Sequence, residues 1–233
     1  GPGLAAGLAA GLAAGLAADR AHAALAAAPA ATARREAEEE SGVQIDQNIA
    51  PLLVGLDVHG IPSRKRVLHD GDIVKLDFGV KLEGMYTDSA ITVPVGEIDE
   101  LTQRLLEVTK RSLDAGIAAA TPENHVGDIG AAVQAVVEAA GFSVVRELVG
   151  HGVGFSPHEE LQIPNYGKPK RGKKLSVGLT IAIEPMVNVG TAKTKTLSDK
   201  WTVVTADAKR SAHFEHTVAI TEHGPRILTQ PLG

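Results

Sequence analysis

The chain has 233 residues, a formal net charge of −5, nine histidines and no cysteine. Its length suffices for one large domain or two small ones, and its 44% hydrophobic and 22% charged residues are typical of a soluble globular protein. Without cysteine, disulfides and thiolate metal sites are excluded, so a metal would need nitrogen and oxygen ligands. The negative charge predicts no nucleic-acid partner, and no apolar run is long enough to span a membrane.

Residues 1–42 form an atypical segment that is rich in alanine, leucine and glycine. Leucine recurs at every fourth position, at Leu4, Leu8, Leu12 and Leu16. This spacing predicts an apolar stripe on a helix that continues to about Ala28, followed by a short polar helix over roughly 33–40. We predict a single main domain over residues 43–233.

Two strands joined by a turn over Lys81-Leu82-Glu83-Gly84 are predicted next, and each carries one aspartate. Asp77 lies in the first strand and Asp88 in the second. The hairpin predicts that the two carboxylates stand opposite each other across neighbouring strands. They would repel unless one carboxylate takes up a proton or a cation lies between them. The hairpin therefore predicts half of a cation site.

Helices and strands then alternate in groups. Apolar spacing predicts one helix over 98–120 and a second from Val126 to Ala140. Further strands are predicted over 51–54, 143–149, 180–187, 201–205, 213–221 and 226–228. The order helix, helix, strands occurs twice, which indicates an internal duplication and an α+β domain with helices on one face of an antiparallel sheet.

Three isolated polar residues join the aspartates as candidate ligands. His151 lies between two glycines, and Glu184 and Glu215 interrupt apolar strand-like runs. Taken singly, each fits an ordinary loop or edge position, but a buried glutamate is costly unless it is paired or binds a metal. Four carboxylates and one histidine carry a charge of about −4, which two divalent cations would neutralise while holding a water between them.

The local contexts of these residues resemble those of the type I methionine aminopeptidases. The likeness runs from Val58 to Leu228, and ten residues separate the two aspartates. The motifs that carry it are His59-Gly60-Ile61-Pro62, Gly71-Asp72-Ile73, Gly150-His151-Gly152, Pro157-His158-Glu159-Glu160, Ile163-Pro164-Asn165-Tyr166, Ile183-Glu184-Pro185-Met186 and Phe214-Glu215-His216-Thr217. The resemblance implies a pita-bread fold, with two pseudo-symmetric helix-helix-strand halves around a dinuclear metal site, and makes residues 43–233 the catalytic domain.

The resemblance also implies a role for each candidate ligand. Asp77 would bind one metal, while Asp88 and Glu215 would bridge both. His151 and Glu184 would complete the site of the other metal. The resemblance thus implies two divalent ions as cofactors, drawn from cobalt, manganese, iron and zinc.

Further residues are implied to act on the substrate. His158 would bind the scissile carbonyl, His59 would contact the substrate amide, and Trp201 would form a wall of the methionine pocket. Glu184 would take a proton from the attacking water and pass it to the leaving amine. The implied catalytic residues are therefore His59, His158 and Glu184.

The implied activity is removal of the N-terminal methionine from nascent proteins and peptides, by a cytoplasmic monomer with the ribosome as a candidate partner and no membrane partner. Two alternatives remain open: an Xaa-Pro dipeptidase or aminopeptidase P on the same fold, and a pita-bread binding module without catalysis. Residues 43–58 depart from the family pattern because they lack its Tyr- and Cys-containing stretch, and Asp57 lies near the position of a family Asn.

Overall fold

The computed structural model describes residues 53–54, 57–60, 67–82 and 84–230. The two helices predicted within residues 1–42, and the domain boundary after them, lie outside this part of the chain. Within it, no helix is both long enough and apolar enough to cross a membrane.

Two helices and fourteen strands form the described part of the chain. The helices are α1 (Glu100–Ala118) and α2 (Val126–Ala139). The strands are β1 (Leu53–Val54), β2 (Asp57–His59), β3 (Ile73–Leu82), β4 (Met85–Pro94), β5 (Ser143–Val144), β6 (Gly150–Gly152), β7 (Glu159–Ile163), β8 (Thr180–Ile183), β9 (Met186–Asn188), β10 (Thr194–Thr196), β11 (Val203–Thr205), β12 (Ser211–His213), β13 (Glu215–Thr221) and β14 (Gly224–Ile227).

All strand pairs are antiparallel, as predicted. The main sheet has the order β1-β3-β4-β13-β8-β6-β7, with β14 paired to β13, and two small sheets have the orders β10-β11-β2 and β12-β9-β5. In the main sheet β4 pairs with β13, which joins the first strands of the domain to the last. The two halves that the sequence predicts therefore meet at the centre of one sheet.

Both predicted helices are present, and local hydrogen bonds set where they begin. The Asp99 carboxylate accepts a 2.7 Å hydrogen bond from the Thr102 amide, so α1 begins two residues after the predicted start. At the start of α2, the Asp128 carboxylate accepts a 2.8 Å bond from the His125 amide. The apolar faces of the helices pack on the sheet in a buried core that contains Leu113, Ile117, Ile129, Ile181, Ile183, Val218 and Ile220.

Several predicted strands were wrong in their limits. The predicted strand over 180–187 is two strands, because Pro185 has no amide hydrogen for a sheet and the chain leaves β8 before it re-enters as β9. The predicted strand over 213–221 likewise divides into β12 and β13 at Phe214. The strand predicted over 143–149 ends at Val144, while β6, β7 and β10 were not predicted at all.

The other two late strands are displaced by one or two residues. The strand predicted over 201–205 begins at Val203, and the one predicted over 226–228 is β14 and begins at Gly224. In the first half, the strand predicted over 51–54 corresponds to β1 at Leu53–Val54. Residues 51 and 52 lie outside the described part of the chain.

These divisions place two chain segments at a change of sheet. β8 and β13 pair in the main sheet, whereas β9 and β12 pair in a small one. Between them, the Phe214 amide donates to the Pro185 carbonyl at 3.4 Å. Glu184 and Glu215 therefore lie beside the same crossover, where the regular strand pairing is interrupted.

The aspartate hairpin forms, but its register differs from the prediction. Leu82 pairs with Met85 across a tight turn in which Gly84 has a φ of 83°. Asp77 pairs with Ala90 and Asp88 pairs with Gly79. The two aspartates are diagonal neighbours on one face and not directly opposite, so the predicted pairing was wrong by two positions.

Gly116 marks the closest approach of α1 to its neighbours. A Cβ there would lie 2.8 Å from Val133 Cγ2 and 3.3 Å from Ile183 Cγ2. We expect Gly116→Val to lower the free energy of unfolding by about 1–3 kcal/mol through overpacking. The matched control, Ala118→Val on the exposed side of α1, should cost less than about 0.7 kcal/mol. Urea denaturation measures both, and equal losses would contradict the predicted close packing.

Candidate metal centre

The first half of the site is built on three adjacent strands. Ala90 of β4 pairs with Asp77 on one side and with Glu215 on the other, so these two acids project from the same face of the sheet. Asp88 lies two residues before Ala90 in β4, so its side chain projects from the same face. The Thr217 hydroxyl donates to the Asp88 carbonyl at 2.7 Å and accepts from the Asp88 amide at 2.8 Å, which fastens β4 to β13.

The second half brings His151 and Glu184 to the same place. His151 Nε2 lies 3.6 Å from Glu184 Oε1 and 3.8 Å from Asp88 Oδ2. The glycines beside His151 permit this approach, since a Cβ at Gly150 would lie 2.3 Å from the Ala182 carbonyl oxygen. Strand β6 can therefore lie close against β8, which places the imidazole over the carboxylates.

The donor atoms form three overlapping groups of three residues. Within each group, the three ligand atoms lie within 4.8 Å of one another. The groups are Asp77 with Asp88 and Glu215, His151 with Glu184 and Glu215, and Asp88 with His151 and His158. Asp88, His151 and Glu215 each belong to two groups. The five predicted ligands thus lie in one cluster, while the bridging roles of Asp88 and Glu215 stay predictions.

Burial and mutual repulsion weaken the charged forms of the acids. Burial raises the pKa of Asp77 to about 7. Burial, together with the charge of Asp77, raises the pKa of Asp88 well above its usual range. Burial and the neighbouring carboxylates do the same to the pKa values of Glu184 and Glu215.

The donor set fits a divalent cation. Glu215 Oε1 is buried with no hydrogen-bond partner among the described residues, which is costly for a carboxylate oxygen. Burial lowers the pKa of His151 to about 4, so its imidazole is neutral at pH 7 and offers a lone pair. Carboxylate oxygens and a neutral imidazole are ligands for manganese, iron, cobalt and zinc.

The three residues predicted to act on the substrate lie beside this cluster. The ring of His158 is exposed, and its centroid lies 4.3 Å from that of His151. The ring of His59 lies 5.8 Å from that of Trp201, and burial followed by the nearby His158 lowers the His59 pKa. Trp201 is 54% exposed, so much of its side chain is open to solvent. Their roles on a substrate stay predictions.

His213 is a site residue that the sequence interpretation missed. It is buried, and its Nε2 lies 3.7 Å from Glu184 Oε2 with no hydrogen-bond partner among the described residues. Burial, with smaller contributions from His59 and Lys75, lowers its pKa to about 3. No local pattern signals this role, because His213 ends β12 in a small sheet whereas Glu215 begins β13 in the main sheet.

The model of metallopeptidase family M24 matches residues 9–222 of the sequence. The chain belongs to metallopeptidase family M24. Over 173 residues it is 56% identical to methionine aminopeptidase 1 of Bacillus subtilis (strain 168), covering 74% of the chain and 69% of that relative. It is also 47% identical over 178 residues to methionine aminopeptidase 1 of Mycobacterium tuberculosis (strain CDC 1551 / Oshkosh), covering 74% and 67% respectively.

Solved structures agree on the fold. The crystal structure of methionine aminopeptidase from Thermotoga maritima matches with a TM-score of 0.89 at 38% identity, covering 96% of the chain and 94% of that structure. Prolidase from Pyrococcus furiosus matches with a TM-score of 0.71 at 21% identity, covering 99% and 64%, and this likeness concerns the fold alone. The predicted pita-bread fold and the likeness to methionine aminopeptidases are confirmed, and family and donor cluster together support use of a divalent metal.

The raised acid pKa values predict that metal binding displaces protons. Because carboxylates must be ionised to bind a cation, manganese uptake at pH 7 should release about one proton or more per chain, and affinity should rise from pH 6 to pH 8. Titration calorimetry in two buffers of different ionisation enthalpy measures the release. The control Asp199→Asn removes an exposed acid whose pKa is lowered by hydrogen bonds from Thr202. It should leave both the proton release and the manganese affinity unchanged. Uptake without proton release would contradict the buried, protonated acids.

Proposed function

We propose that the chain removes the N-terminal methionine from peptides and nascent proteins by metal-assisted hydrolysis. The observation that carries this proposal is the convergence of five predicted ligands from both halves of the domain into one buried cluster. The relatives named methionine aminopeptidase, at 47–56% identity, favour this activity over the Xaa-Pro dipeptidase alternative. A binding module without catalysis is disfavoured because all five ligand positions are filled by residues that bind metals.

We infer a pair of divalent ions at this cluster. Asp88 and Glu215 each belong to two donor groups, which is the arrangement expected of bridging carboxylates. Asp77 would serve one ion, and His151 with Glu184 would serve the other. When bound, such a pair supplies an activated water and positive charge beside the substrate carbonyl.

Glu184 is suited to move the proton of the attacking water. Its position is fixed from two sides, because Asn165 Nδ2 donates to the Glu184 carbonyl oxygen at 3.0 Å and the carboxylate lies between His151 and His213. Burial raises its pKa, which makes its carboxylate a stronger base for the proton of the water, and that proton would then pass to the leaving amine.

His158 is suited to bind the scissile carbonyl. Its ring stands at the exposed edge of the cluster, where a substrate can reach it, and it contacts the ring of His151. A hydrogen bond from His158 to the carbonyl oxygen would strengthen as negative charge develops there. His59 and Trp201 lie near each other and would contact the amide and the methionine side chain of the substrate.

The expected partners follow from this reaction. The substrates would be the N-terminal segments of nascent chains, encountered at the ribosome in the cytoplasm. We propose that the chain acts there as a monomer.

A panel of short peptides tests the proposed activity. The manganese-loaded chain should release methionine from Met-Ala-Ser and leave Ala-Pro peptides intact. The control Glu184→Gln should lose turnover, since it removes the proton acceptor while keeping the side-chain shape. Release of the first residue from Ala-Pro peptides would favour the Xaa-Pro enzyme instead, and no cleavage of any peptide would favour the binding module.

Replacing His158 separates catalysis from metal binding. His158→Ala should lower kcat by about 10²- to 10³-fold, since one donor to the developing oxyanion is lost. Its manganese affinity, measured by calorimetry, should stay close to that of the wild type. His223→Ala, an exposed histidine outside the site, is the matched control. A large fall in metal affinity would instead make His158 a metal ligand together with Asp88 and His151.

A further inference from the structure

A strongly basic segment lies on the surface beside α2. Residues 168–174 read Lys-Pro-Lys-Arg-Gly-Lys-Lys, with five cations and no acid in a chain of net charge −5. We name this segment the cationic strap. All five basic residues are exposed, and none forms an ion pair with a carboxylate of the described residues. The net charge of the chain conceals this local concentration of the opposite sign.

The backbone of the strap is held against the first turn of α2. The Gly127 amide donates to the Arg171 carbonyl at 2.9 Å. The Asp128 carboxylate accepts from the Lys170 amide at 3.1 and 3.2 Å, and Lys170 adopts a φ of 58° that is uncommon for a residue with a side chain. The polar backbone groups of the strap thus face the helix, which leaves its side chains directed to solvent.

Two glycines of α2 make this contact possible. A Cβ at Gly127 would lie 2.3 Å from the Lys168 carbonyl oxygen and 2.7 Å from that of Arg171. A Cβ at Gly130 would lie 2.3 Å from the Tyr166 carbonyl oxygen, just before the strap. Since the strap lies directly on the helix backbone, its cations are displayed from a fixed support. A preorganised set of charges loses little conformational entropy when it binds.

We propose that the cationic strap binds the phosphate backbone of RNA. Lysine and arginine bind phosphate oxygens well, and Arg171 is the one strap residue whose planar side chain can also stack on a base, since the strap contains no aromatic or amide side chain. The binding is therefore electrostatic and independent of sequence. The choice of RNA over other polyanions rests on the proposed function, because nascent chains are presented on an RNA-rich particle.

Salt dependence of binding to a labelled 20-nucleotide oligouridine tests the proposal. If all five cations neutralise a phosphate, the slope of log K against log salt is about −3.5, so affinity falls about 100-fold between 50 and 200 mM KCl. Removing three cations should reduce the slope to about −1.4. The manganese-loaded chain of 233 residues is compared with the strap variant Lys170→Gln/Lys173→Gln/Lys174→Gln. The charge-matched control, on β3 and α1, is Lys81→Gln/Lys110→Gln/Arg111→Gln.

The control should keep a slope close to that of the wild type, since it loses the same charge elsewhere on the surface. Equal slopes for the strap variant and the control would overturn the proposal. Polyglutamate that competes as strongly as unlabelled oligouridine would assign the strap to an acidic protein and overturn the assignment to RNA.

Cleavage of Met-Ala-Ser, measured on the same preparations, separates this proposal from the proposed function. The strap variant should cleave the peptide at the wild-type rate, because no strap residue belongs to the metal centre. An RNA-binding chain that cleaves no peptide would refute the peptidase activity while leaving the strap assignment intact. A chain that cleaves the peptide but shows no strap-dependent RNA binding would refute the strap assignment and leave the peptidase activity intact.

Discussion

Four carboxylates that the fold brings into one cluster, those of Asp77, Asp88, Glu184 and Glu215, repel one another, and this repulsion constrains the whole site. Each carboxylate disfavours the charge of the others, so desolvation and neighbouring acids together raise their pKa values. Only protons or cations relieve that repulsion. A neutral imidazole at the edge of the group and a Glu215 oxygen without a described partner suit cations. The chemistry of the site is therefore set by charge that the fold forces together.

The fold forces these groups together by joining its two halves at one strand pair. The pairing of β4 with β13 puts ligands from both halves on one face, and the Thr217 hydroxyl locks that register to Asp88. Beside it, the chain changes sheets between β8 and β9 and between β12 and β13. Glu184 lies in the interruption between β8 and β9, and its carboxylate lies 3.7 Å from the imidazole of His213 at the end of β12. A continuous strand through Pro185 would not allow that approach.

Sequence patterns predicted helices α1 and α2 and the antiparallel α+β class, and they singled out the five candidate ligands that the structure brings together, because apolar periodicity and isolated polar residues in apolar runs are local signals. The diagonal register of Asp77 and Asp88 was not predictable, since it depends on the turn and on the pairing with β13. The division of the strand at Pro185 was signalled by the missing amide hydrogen, yet its use as a sheet crossover was not. His213 and the support of the cationic strap by Gly127 depend on tertiary contacts that no local pattern contains.

The carboxylate cluster is suited to hold a pair of divalent ions. Equilibrium dialysis of the metal-stripped chain against manganese, followed by elemental analysis, measures this directly. The shared positions of Asp88 and Glu215 predict a limit of about two ions per chain, at neutral pH and saturating metal. A limit of one ion per chain would contradict the bridging roles of Asp88 and Glu215. A metal content near zero would contradict metal binding at the cluster.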